Sequence, residues 1–120
     1  MTERKSILKE KSFLFALKTV KLYQFLGEEK REFILSKQLL RSGTSVGANI
    51  REAQNAESKM DFIHKLAIAQ KECDETLYWL ELLYKANYIS EVEITSVYSD
   101  ANELLKMLRS AILTLKNKPK

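Results

Sequence analysis

An all-α, antiparallel up-down-up-down four-helix bundle is the fold class this chain predicts, on three observations. Apolar residues recur at helical spacing in four long segments. Punctuation is almost absent: there are three glycines in 120 residues, and the one proline, Pro119, stands next to the C-terminus. That is too few breakers for the many turns of an all-β fold. The breaks that do occur are short and polar, which makes sequential helices antiparallel neighbours. With 45% hydrophobic and 30% charged residues, residues 1–120 read as one domain large enough to bury a core.

The first helix is predicted over about residues 3–26, with Ile7, Phe13, Ala16, Leu17, Val20 and Tyr23 as its inward stripe. Phe15, Leu22 and Phe25 fall toward another face, a surplus that points either to a subunit contact or to a wide core face. Gly27 is the expected stop, because glycine takes the left-handed conformation at no steric cost. The second helix is predicted over about 30–56, with Leu35, Leu39, Ser42, Val46, Ile50 and Ala53 inward. Glu28, Glu29 and Glu32 complement its positive end. Gly43 and Gly47 share a side, and each costs about 1 kcal/mol of helix propensity relative to alanine. Either the helix breaks at Ser42–Ser45 or a neighbour's close approach compensates, and the in-phase stripe favours a continuous helix. Ser42, Ser45 and Asn49 also share a side, and their polar groups need partners if buried.

Ser58 is the expected cap of a third helix over about 59–87, with Phe62, Leu66, Ala69, Cys73, Leu77, Leu80 and Tyr84 inward and Asn87 as terminator. Ser90, with Glu93 three residues on, forms a capping-box pattern. It opens a fourth helix over about 91–115 whose core face is Val97, Ala101, Leu104, Leu108, Ala111, Ile112 and Leu115. Residues 116–120, KNKPK, read as a basic tail.

The stretch Gln38 to Leu83 carries a family resemblance. Its elements are Gln38-Leu39, Arg41-Ser42, the run Gly43-Thr44-Ser45-Val46-Gly47-Ala48-Asn49-Ile50, and Glu52-Ala53. They continue as Asp61-Phe62-Ile63, Lys65-Leu66, Ile68-Ala69, Lys71-Glu72, Glu75-Thr76 and Tyr78-Trp79-Leu80. In these positions the chain resembles the bacterial S23-like four-helix-bundle proteins, encoded by intervening sequences within 23S rRNA genes. It is more distantly similar to the accessory bundle protein of diversity-generating retroelements. The resemblance implies the same bundle, a homopentamer around a central channel, and no catalytic activity. For the retroelement relatives it implies a basic surface that contacts nucleic acid and a reverse transcriptase. This chain departs from that pattern in its modest net charge of +4 and in its acidic third helix.

Charge is spread unevenly. Residues 1–27 carry six basic and two acidic groups, whereas residues 57–88 carry four and six. The candidate phosphate-contacting residues are therefore Arg4, Lys5, Lys9, Lys11, Lys18 and Lys21 on the first helix, with Lys116, Lys118 and Lys120 on the tail. No helix-turn-helix, zinc-finger or RNA-recognition signature accompanies them, so contact with RNA or DNA would be nonspecific and salt-sensitive. The bland alternative is a solvated helix face and a solubilising tail.

Catalytic and metal chemistry lacks its residue set. Asp61 and His64 resemble half of a carboxylate–histidine motif, but a di-iron bundle needs two such units and two further glutamates, and the chain has one histidine. Cys73 lies on an apolar stripe, where a free cysteine acts as a small hydrophobe. Arg41, Glu52, Glu72, Glu75 and Tyr78 form an expected polar cluster between the second and third helices, fixing register between helices or subunits. Gly43, Gly47 and Asn49 are expected at close helix or subunit packing, and Trp79, just off the stripe, between subunits. No cofactor is expected. One cysteine excludes an internal disulfide and no segment is apolar enough to span a bilayer, so a soluble cytoplasmic protein without membrane contact is the expectation. The function expected is a non-enzymatic oligomeric scaffold or adaptor that touches nucleic acid; the alternative is a module that binds only a protein partner.

Overall fold

The computed structural model describes residues 2–118, with side chains from residue 7 onward. Four helices form an up-down-up-down bundle: α1 (Thr2–Glu29), α2 (Leu35–Ala53), α3 (Lys59–Lys85) and α4 (Glu91–Asn117). α1 and α3 each pack against α2 and α4 and face each other across the diagonal. The bundle is a rod of 51 × 21 × 20 Å.

The core runs the length of the rod. α2 contributes Leu39, Val46, Ile50 and Ala53, and α4 contributes Ile94, Val97, Ala101, Leu104, Leu105, Leu108 and Ile112. On α3 the buried stripe is Leu66, Ala69, Cys73, Thr76, Leu77, Leu80 and Leu83. The expected Phe62 and Tyr84 are only half-buried at its two ends.

The inward face of α1 is a correction. Leu8, Phe15, Leu22 and Leu26 point into the core, with Ser12 and Thr19 between them, at alternating spacings of four and three. The expected inner residues Ile7, Phe13 and Leu17 are exposed, and Ala16, Val20 and Tyr23 are half-buried. The physical reason lies on α2, which runs unbroken through both glycines. A Cβ on Gly43 would meet Thr19 Cγ2 at 2.6 Å, and one on Gly47 would meet the Ser12 carbonyl oxygen at 3.3 Å. The two backbones approach so closely that only small side chains, Ser12 and Thr19, fit the seam, and this sets the face of α1 that carries Leu8, Phe15, Leu22 and Leu26 inward.

The first connection also differs from expectation. α1 continues through Gly27 to Glu29, and the chain reverses at Arg31, which carries φ 55°. α2 begins at Leu35 rather than near residue 30, and Glu32 sets that start. Its buried carboxylate accepts the N–H groups of Ile34 (3.1 Å), Leu35 (2.9 Å) and Ser36 (2.7 Å), three donors that a helix N-terminus leaves without intrahelical partners. The Glu32 N–H in turn donates to the Leu26 carbonyl (2.9 Å), tying the turn to the end of α1. The later connections follow their sequence signals. Ser58 accepts the Asp61 N–H, α3 ends before Asn87 at φ 69°, and Ser90 with Glu93 forms the full capping box. α2 ends at Ala53 and α3 at Lys85, short of 56 and 87, while α4 extends past 115 to Asn117.

Candidate functional site

The expected basic row of α1 is divided by its neighbours. Lys11 pairs with Glu103 at 3.2 Å, and Lys18 pairs with Asp100 at 2.5 Å while also donating to Ser96 Oγ at 2.6 Å. Both stitch α1 to α4, so their charges are compensated. Lys9 and Lys21 are exposed. Lys116 and Lys118 are exposed where α4 ends, and Lys59 Nζ donates to the Lys118 carbonyl at 3.0 Å. The Arg4 and Lys5 side chains and Lys120 lie outside the described residues.

The polar cluster forms in part. Arg41 on α2 pairs with Glu72 at 3.0 Å and with Glu75, both on α3. Glu75 also accepts the Trp79 Nε1–H at 2.9 Å, and Trp79 meets Tyr78 edge-on with ring centroids 5.0 Å apart. Tyr78 is itself exposed, joined to the cluster only through Trp79. Glu52 stands apart, paired with Lys65 at 3.0 Å. Asn49 turns back to its own helix and donates to the Ser45 carbonyl at 2.9 Å. One buried link escaped the sequence reading: Thr76 Oγ1 lies 2.9 Å from Ser42 Oγ and 2.8 Å from the Glu72 carbonyl. The signal was present, since Ser42 was placed inward with its hydroxyl in need of a partner.

Two further side chains singled out for their chemistry, Cys73 and His64, lie apart from the polar cluster. Cys73 is fully buried and its Sγ donates to the Ala101 carbonyl at 3.2 Å. Burial first, and Asp74 second, push its pKa from 9.0 up to about 12, so the thiolate nucleophile is not formed at neutral pH. His64 is exposed, and among the described residues no group of three or more His, Cys, Asp or Glu is placed to hold a metal ion. At the other end of the rod, Tyr98 donates to Glu81 at 2.7 Å across a groove of about 560 Å³ between α3 and α4. That hydrogen bond raises the phenol pKa.

Three residues expected inside, together with Leu14, make an exposed surface on α1. Ile7, Phe13 (55% exposed), Leu14 and Leu17 (42%) form an apolar row on the outer side of α1. A groove of about 400 Å³ runs beside it, lined by Phe13, Ala16, Thr44, Gly47 and Ala48 together with Lys9, Ser12, Arg51 and Glu52. Large apolar side chains left exposed together on one helix are candidates for contact with a partner.

These features define a class: an antiparallel four-helix bundle with polar ties between helices and an unpartnered apolar row on its first helix. The family model described as "23S rRNA-intervening sequence protein" matches residues 4–110, and the chain belongs to that family. Its structure is similar to the crystal structure of a protein of unknown function from the S23 ribosomal protein family of Bacteroides thetaiotaomicron. The two share 52% identity and a TM-score of 0.91, over 92% of this chain and 99% of that one. The comparison with curated proteins gave no match. No helix among the described residues is long and apolar enough to cross a membrane.

Proposed function

We propose that the chain is a non-enzymatic scaffold: copies of the bundle associate side by side as a pentameric ring in the cytoplasm, and the ring touches nucleic acid without reading its sequence. The exposed row Ile7, Phe13, Leu14 and Leu17 carries this reading. Left in water, it would expose apolar surface that a second copy can bury at roughly 25 cal/mol per Å². The half-buried Trp79, held by Glu75, offers an anchor on α3, an element that does not pack on α1, and a ring joins two different faces of each copy. The buried, unpaired Cys73 fits a reducing compartment.

The test is solution mass by light scattering, alongside helical content by circular dichroism. Wild-type protein is expected near five copies of the 13.9 kDa chain. Phe13→Gln with Leu17→Gln is expected to yield monomers of unchanged helicity. A monomeric wild type at micromolar concentration overturns the scaffold reading. A second reading, a module that binds only protein, draws on the ion pairs that occupy Lys11 and Lys18. Absence of RNA and DNA binding at low salt by an intact oligomer would decide for it.

A further inference from the structure

Charge along the rod is strongly polarised. Residues 73–103, the second half of α3 and the first half of α4, hold seven acidic side chains and one basic. Residues 104–120 hold five basic side chains and no acidic one. Within that second stretch Lys106, Arg109, Leu113 and Lys116 recur at spacings of three, four and three, so they form one stripe on a helix. All four are exposed, and none of the three cations has an ion pair among the described residues. Lys118 is exposed just beyond, with the Lys59 ammonium held against its carbonyl.

We infer that this stripe, Lys106, Arg109 and Lys116 with Lys118 and Lys59, is the surface that meets the phosphate backbone of a nucleic acid. The inference rests on the nucleic-acid reading above; of the residues expected from sequence it keeps Lys116 and Lys118, drops those of α1, and adds Lys106, Arg109 and Lys59. Complementing the helix dipole does not explain the stripe. That effect fades within the last turn, where only Lys116 lies, whereas Lys106 and Arg109 stand two to three turns earlier. Nor is it an ordinary solvated face, because such faces interleave both signs and this one has a single sign. From Lys106 to Lys116 the helix rises about 15 Å, which matches about four phosphates at about 3.4 Å per duplex strand. The stripe offers one large exposed apolar side chain, Leu113, too little apolar surface to bury in a lipid interface. A phosphate polymer therefore fits better than an anionic bilayer.

The experiment measures fluorescence anisotropy of labelled single-stranded RNA and of a DNA duplex over a salt series, on the full chain. The variants are Lys106→Gln/Arg109→Gln/Lys116→Gln on α4 and Lys9→Gln/Lys21→Gln on α1. Because every changed side chain is exposed, circular dichroism should be unchanged. A charge-keeping control, Lys106→Arg/Arg109→Lys/Lys116→Arg, should bind as the wild type does. The α4 variant is expected to lower the slope of log affinity against log salt by about 3, and the α1 variant to leave it nearly intact. Binding that survives the α4 change overturns this assignment and leaves the nucleic-acid reading standing. A wild type that binds neither polymer at low salt, or binds only phosphatidylserine vesicles, overturns both.

Discussion

Of the three glycines Gly43 stands closest to a neighbouring helix, against Thr19, and the outcome of substituting there follows from two opposed magnitudes. Alanine at Gly43 gains about 1 kcal/mol of helix propensity. Its methyl would also stand 2.6–2.9 Å from three atoms of Thr19, an overpacking of the kind that costs about 1–3 kcal/mol. The overpacking cost is the larger, and Gly43→Ala should destabilise the fold by up to about 2 kcal/mol in urea unfolding. Adding Thr19→Ala removes two of the three close atoms and should restore part of that loss. Gly47→Ala, whose methyl meets its nearest atom at 3.3 Å, should lose less than Gly43→Ala. Equal losses at both sites would show that the seam does not depend on Thr19. Cys73 supplies a pH signature at the same scale. Its folded pKa is raised to about 12 from 9.0, so between those values the unfolded chain releases the proton that the folded chain keeps. Stability from this group is whole below pH 9 and falls as pH rises, by at most about 1.4 kcal/mol per pH unit. Cys73→Ala should flatten the alkaline fall relative to wild type, and parallel pH profiles would refute the burial argument.

At the scale of elements, the stripes of α2 and α4 and the middle of that of α3 were legible because apolar residues recur in phase along one side of each. α1 was not, because apolar residues surround it: Phe15 and Leu22 inside, Phe13, Leu14 and Leu17 outside. Periodicity alone finds helical spacing on more than one side of α1 and cannot choose between them. What decided the face was two glycines on another helix, and that pairing is tertiary information. The turn before α2 shows the same limit. Gly27 carries the strongest local stop signal, yet the reversal falls at Arg31, where Glu32 can reach three N–H groups. Of the expected polar cluster, Arg41, Glu72 and Glu75 do meet, because they lie on the facing sides of adjacent helices, while Glu52 finds Lys65 further along. Removing the Glu32 carboxylate tests how firmly that turn sets the start of α2. Glu32→Ala should cost about 2 kcal/mol, the scale of losing a strong helix cap, read as a lower urea midpoint at unchanged slope. Glu32→Gln keeps one acceptor oxygen and should lose less. A neutral Glu32→Ala would mean that water replaces the carboxylate freely.

For the whole molecule, the apolar row and the cation stripe fall at the same end of the rod. Ile7, Phe13, Leu14 and Leu17 occupy the N-terminal half of α1, and the antiparallel α4 brings Lys106, Arg109 and Lys116 alongside at its C-terminal half. Copies packed antiparallel would set each basic end beside an acidic one and cancel the field. Copies packed parallel in a ring gather every basic end on one rim, where weak phosphate contacts add along a single strand. Self-association and nucleic-acid binding are then coupled, and neutral interface substitutions should expose the coupling. Phe13→Gln with Leu17→Gln leaves all charges in place, yet should weaken binding to a long RNA on the order of 10²-fold. Binding to an oligonucleotide short enough to touch one copy should barely change. Anisotropy titrations with the two RNA lengths, with mass recorded at the same concentrations, make the comparison. A monomeric variant that binds long RNA as tightly as the oligomer would show that one copy makes the whole contact and that the ring serves some other purpose.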